Sequence, residues 1–239
     1  MPTYQLKTSN MGTCSKKSRV REEFEKALAK ADSTEFKATK EMLDLYSDVV
    51  CGCTLVAEEN TKQMGGPTWQ NAELCRTMLK YAKVLEQYTE VGNIADTLYK
   101  VSERMADALY YHPRLKAEVL RLTIRILHDI EAETGHDLSS TDHFMSELSA
   151  LERTIHFADN GMIDNIDQQG TLKADPVEWT EAFENVIDEA ERKALDKLTD
   201  VPRGMGFCHA YWTELGDALY ELGVSWKSPA QMNPRCLFD

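Results

Sequence analysis

Glycine and proline are scarce in this 239-residue chain, at 12 and 7 residues. That excludes a collagen-like or Pro/Gly-rich disordered chain and argues against a turn-dense all-β protein. No apolar run approaches the roughly 18 residues of a membrane-spanning helix. The opening MPTYQLKTSNMGTCSKKS lacks the apolar stretch of a secretory signal. A cytoplasmic chain without a membrane partner is the expectation. Positive charge is also short: 27 Lys and Arg against 40 Asp and Glu leave a net charge of −13. Binding to phosphate backbones needs a clustered basic surface. The best cluster, Lys16, Lys17, Arg19 and Arg21, runs at once into Glu22 and Glu23. Nucleic acid is therefore not the expected partner, and the acidic balance suits solubility or basic partners.

The six cysteines, Cys14, Cys51, Cys53, Cys75, Cys208 and Cys236, are too few for a disulfide scaffold. No CxxC pair exists, and Cys51 and Cys53 on a helix would point roughly 200° apart. Reduced, mostly buried thiols are expected, with no metal site and no cofactor. Dinucleotide, Walker, nucleophile-elbow and HExxH signatures are all missing.

What is present is helical period nearly everywhere. Leu74, Met78, Tyr81, Leu85 and Tyr88 recur by four and three, as do Ile94, Leu98, Val101, Met105 and Leu109. The pattern predicts about eight helices near 17–31, 34–60, 69–91, 94–111, 113–134, 140–159, 176–199 and 207–222. Met64-Gly65-Gly66-Pro67, Gly92, His112-Pro113, Gly135 and Asn160-Gly161 punctuate them. Short links favour antiparallel neighbours. The fold class is all-α, as stacked hairpins or a bundle in one domain. The irregular 161–175 connection is the best candidate boundary. Asp175 reads as a cap before Pro176, with Glu178 completing a capping box.

Four residues of the 207–222 segment, Trp212, Leu215, Gly216 and Leu219, resemble the first half of the tetratricopeptide motif W-x2-L-G-x2-Y, with Leu219 at the aromatic position. The resemblance covers about 12 residues. Ser228-Pro229 interrupts the second half. It implies stacked helical hairpins with a concave groove for peptides.

Three features are candidates for chemistry. On the 113–134 helix, two apolar stripes leave a narrow polar one that includes Arg114, Glu118, Arg121, Arg125 and His128. It reads either as a solvated edge with Glu118–Arg121 and Glu118–Arg125 pairs or as an anion groove built on Arg121, Arg125 and His128. Second, Arg203, Gly204 and Gly206 enter a helix start that carries Cys208 and His209. Free N–H groups there favour an anion and lower a thiol's pKa. Adjacent helical residues point about 100° apart, so Cys208 and His209 do not face each other. Third, the pairs His128/Glu131, Glu133/His136, His143/Glu147 and Glu152/His156 have helical spacing. They lack the second Glu-x-x-His of a di-iron bundle and read as surface ion pairs.

The tail from Val224 is rich in anchors: Trp226, Met232, Leu237 and Phe238. It reads as an irregular strap on the last two helices, tied by Ser225, Lys227 and Asn233. The function expected is a non-catalytic helical interaction module for a protein or peptide partner. It would use the polar stripe, the last helix with Trp212, and the tail with Trp226. The alternative is a small-molecule enzyme or binder with an anion site near Arg203–His209 and the Arg121/Arg125/His128 stripe.

Overall fold

The computed structural model describes residues 18–62, 64–168 and 170–238. Among them, the chain is 71% helix with no strand. Ten α-helices follow in order: α1 (Arg19–Ser33), α2 (Lys40–Thr61), α3 (Asn71–Leu85), α4 (Ile94–Asp107), α5 (Pro113–Thr134), α6 (Ser139–Asp159), α7 (Glu181–Glu184), α8 (Ile187–Lys197), α9 (Phe207–Glu221) and α10 (Pro229–Met232). Eight of them have at least 7 residues. No helix among the described residues is long and apolar enough to cross a membrane.

Two apolar clusters organise the chain. The larger joins α1 to α6 around Val49, Val50, Met78, Leu98, Leu120 and Ile126, all fully buried. The second joins α7, α8, α9 and the tail around Phe183, Ile187, Leu215 and Leu219. Consecutive helices α1–α2, α2–α3, α4–α5, α5–α6 and α8–α9 pack on each other. This follows from short links and apolar faces at three- and four-residue spacing.

The ends of α5 match expectation. Pro113 occupies its first turn, and Gly135 ends it with φ +70°, left-handed space open to glycine. Elsewhere the periodic stretches are cut shorter. The helix expected from 34 begins at Lys40, where the Thr39 hydroxyl accepts from the Met42 N–H. The 69–91 stretch becomes α3 flanked by 3-10 turns at Thr68–Gln70 and Glu86–Tyr88. The 176–199 helix is broken into a 3-10 turn at Pro176–Trp179, then α7, then α8. Thr180 explains the first break: its backbone is extended and its hydroxyl accepts from the Phe183 N–H at 3.3 Å, starting a new helix. Asp175 caps as expected, accepting from the Val177 N–H at 3.1 Å. Glu178 closes no capping box, because its carboxyl turns instead to Trp226.

The tail is docked, with one anchor misjudged. Trp226 is buried and Phe238 sits edge-on to Trp212 at 5.1 Å, whereas Leu237 is fully exposed. The Lys227 N–H donates to Asp175 at 2.7 Å. Asn233 donates to the Lys173 carbonyl and accepts from its N–H, both at 2.8 Å. The tail is not wholly irregular either: Ser228 and Gln231 form a capping box that starts the single turn of α10.

Candidate functional site

The sequence between α4 and α5, Ala108 to His112, meets the second cluster. Leu109 is buried in the larger core, while the Tyr111 ring packs on Phe183 at 5.5 Å. The link is pinned from below by Asn71, whose amide donates to the Ala108 carbonyl at 3.0 Å and the Ala57 carbonyl at 3.3 Å. Asn60 donates to Asn71 at 2.8 Å, and Arg21 donates to Asn60 at 2.9 Å. With Leu109 and Tyr111 turned to opposite cores, Tyr110 projects outward and is 75% exposed.

The seam between the two clusters is polar and buried. Glu191 of α8 accepts from the Thr68 hydroxyl, 3.0 Å from each carboxylate oxygen, and from the Tyr211 hydroxyl at 2.7 Å. His112 is 4% exposed, with Nε2 2.9 Å from Asp188 and Nδ1 4.0 Å from Glu184. Arg114 donates to Glu184 at 2.8 Å and contacts Asp159. On the far side of the link, the Trp226 indole N–H donates to Glu178 at 2.8 Å.

Burial pushes both seam glutamates up to about 7. For Glu191 the donors Tyr211 and Thr68 oppose that rise, and nearby Asp188 adds to it. For Glu178 the indole opposes it. Burial comes first because an ionised carboxylate loses more hydration than a few neutral donors return. Both groups can therefore exchange a proton near neutral pH.

Two cavities of about 310 Å³ each flank the link, and Asp107 and Tyr110 belong to the walls of both. One, the aromatic cavity, has Glu191 and His112 in its walls with Tyr111, Tyr211 and Trp212, and Met64 half-exposed. The other holds Glu178, Trp179 and Asp167 beside the Lys116–Glu147 ion pair at 2.8 Å.

The residues singled out in the sequence are dispersed. Arg121 pairs with Glu152 of α6 at 2.6 Å, and Arg125 pairs with Glu86, one contact being 3.2 Å. These inter-helix partners replace the Glu118 pairs expected within α5. His128 meets Glu131 at 3.1 Å. Arg121 and Arg125 line a groove with Glu86, Glu118 and Lys83. His209 lines a different one with Trp212, Gly216 and Trp226. Arg203 lies 5.7 Å over the Phe207 ring. Gly204 is exposed, and Gly206 takes φ +81° to start α9. Cys208 is 2% exposed, and His209 Nε2 is 3.3 Å from the Phe238 carbonyl. Trp212 belongs to the aromatic cavity, and Trp226 stands behind Glu178.

In the His143/Glu147 and Glu152/His156 spacings the partners lie elsewhere: Glu147 goes to Lys116, Glu152 to Arg121, and His156 to Asn160. Among the described residues no group of three or more His, Cys, Asp or Glu is placed to hold a metal ion. The described cysteines are free thiols; Cys53, Cys75 and Cys208 are buried, while Cys236 is exposed. Lys16, Lys17 and Cys14 lie outside the described residues.

Sequence reasoning missed Thr68, His112, Glu178, Glu191 and Tyr211. For Glu191 a signal existed: Ile187, Glu191, Ala194 and Leu198 share one helical stripe, which puts a carboxylate at a core position. No protein-family model, curated protein or solved structure matches this chain.

Proposed function

We propose that the chain is a helical interaction module that binds a segment of a partner protein in the cleft between its two apolar clusters. The supporting observation is Tyr110, an aromatic side chain 75% exposed that belongs to the walls of two cavities of about 310 Å³. Large apolar side chains held out over concave surfaces are what partner segments bury. The free thiols suit a reducing compartment, in keeping with a cytoplasmic setting. The net charge of −13 disfavours nucleic acid as the partner. The anion-site alternative has less support, because Arg121, Arg125 and His128 already hold carboxylates. The tetratricopeptide resemblance stays a proposal about stacking: Trp212, Leu215 and Leu219 are buried in the second cluster.

Selection of binders from a random peptide display library tests this reading. Selected peptides should lose at least about tenfold in affinity on Tyr110→Ala, since a buried aromatic anchor contributes about 2 kcal/mol or more. They should bind Tyr220→Ala unchanged, a residue of similar exposure on α9. Peptides indifferent to Tyr110 would refute it.

A further inference from the structure

We infer that the aromatic cavity beside Glu191 is a receptor for a lysine side chain of the partner segment, an assignment that rests on the interaction-module reading above. Its walls combine carboxylates and rings: Asp107 and Glu191, with Tyr110, Tyr111, Tyr211 and Trp212. Among the described residues no lysine or arginine lines it. Aromatic faces attract a cation and offer apolar contact to the methylene stem that carries it. A volume of about 310 Å³ accommodates such a stem.

The hydrogen bonds that Glu191 already makes favour a compact cation. Thr68 reaches both oxygens of Glu191, and Tyr211 takes a further site on Oε1. Thr68 has one hydroxyl hydrogen to share between the two oxygens, so it and Tyr211 fill two of a carboxylate's roughly four acceptor sites, and an opening remains on Oε2. A compact ammonium needs only one such site, whereas a guanidinium fork gains its advantage from two parallel bonds. A buried imidazole stands in the same wall. His112 is 4% exposed; in the tautomer that donates Nε2–H to Asp188, Nδ1 carries a lone pair, and it lies 4.0 Å from Glu184. That Nδ1 is the buried side-chain polar atom without a hydrogen-bond partner among the described residues. Buried acceptors lacking a donor are uncommon and costly. In that tautomer the missing partner of Nδ1 is an N–H or O–H donor.

The test titrates the protein with n-butylammonium chloride, the lysine side chain alone, and with its neutral isostere 1-butanol and with n-butylguanidinium. The readout is the ε-methyl NMR signal of Met64, which lines this cavity and is 49% exposed. A Gly/Ser-flanked nonapeptide with one central lysine, and its norleucine counterpart, complete the set. The expected result is saturable butylammonium binding at least tenfold tighter than butanol or butylguanidinium, and lysine peptide at least tenfold tighter than norleucine peptide. Glu191→Gln should weaken the ammonium tenfold. Tyr110→Ala, at an exposed position that spares the fold, should weaken it as well. Equal binding of butanol and butylammonium would overturn the ammonium assignment and leave the interaction module standing. Ammonium binding with no peptide binding would overturn the partner-segment reading and leave an amine site.

Discussion

Raising the pH from 5 to 8 should destabilise this protein, and the two seam glutamates set the size of the effect. Glu178 and Glu191 are 9% and 3% exposed, and burial lifts each from the ordinary 4.5 to about 7. The native chain therefore holds protons that the unfolded chain has released between those limits. Their contribution is fully present below the unfolded value and is lost as pH rises through the folded one. A lift of that size corresponds to about 3 kcal/mol for each glutamate, and about 6 kcal/mol for both. Asp32, held down by Lys80 and Tyr81, and Glu131, held down by the Leu138 N–H and Thr141, act in the opposite sense in more acidic solution. The groups facing Glu191 are Tyr211 from α9, Asp188 from its own helix, and His112 and Tyr111 from the α4–α5 link. Urea unfolding at half-unit pH steps measures the slope. Glu191→Gln, an uncharged mimic of the acid form, should remove about half of it and make the variant the more stable protein at pH 8. Stability that rises from pH 5 to 8, or a slope unchanged in Glu191→Gln, would show that the two buried glutamates do not hold protons in the native chain.

Three further outcomes are expected. Trp226→Phe leaves the Glu178 carboxyl without its indole donor and should cost about 1–3 kcal/mol; calorimetry should also show a larger loss at pH 8 than at pH 5, and deletion of 224–239 should lower Tm further and raise binding of a hydrophobic dye. Gly65→Ala should destabilise by about 1–3 kcal/mol, because Gly65 has φ +69° and a Cβ there would stand 2.7 Å from the Phe207 ring; an unchanged urea midpoint would contradict this. With a thiol reagent in native buffer, exposed Cys236 should react quickly and buried Cys208 only after unfolding.

The helical class was legible because apolar spacing by three and four survives in α3, α4 and α5, where one face does the packing. The ends of α5 were legible because Pro113 and Gly135 act locally. The break at Thr180 was not, since Asp175-Pro176 and the following residues satisfy helix rules on their own. Tertiary demand for Glu178 at Trp226 and for Phe183 in the second core decides it. Arg121 and Arg125 were legible as a stripe, but their partners Glu152 and Glu86 come from other helices. The seam was least legible: Thr68, His112, Glu191 and Tyr211 come from four segments, and no local spacing links them. A carboxylate in the apolar stripe of α8 was the one trace it left in the sequence.

Docking of partner segments in the cleft at Tyr110 is open to a direct test. Photo-crosslinking tests it most directly, with p-benzoylphenylalanine placed at position 110 or, as a control matched in exposure, at position 220. Display-selected peptides are predicted to crosslink at position 110, to compete there with unlabelled peptide, and to leave position 220 unlabelled. Crosslinking at position 220 with none at 110 would contradict the claim.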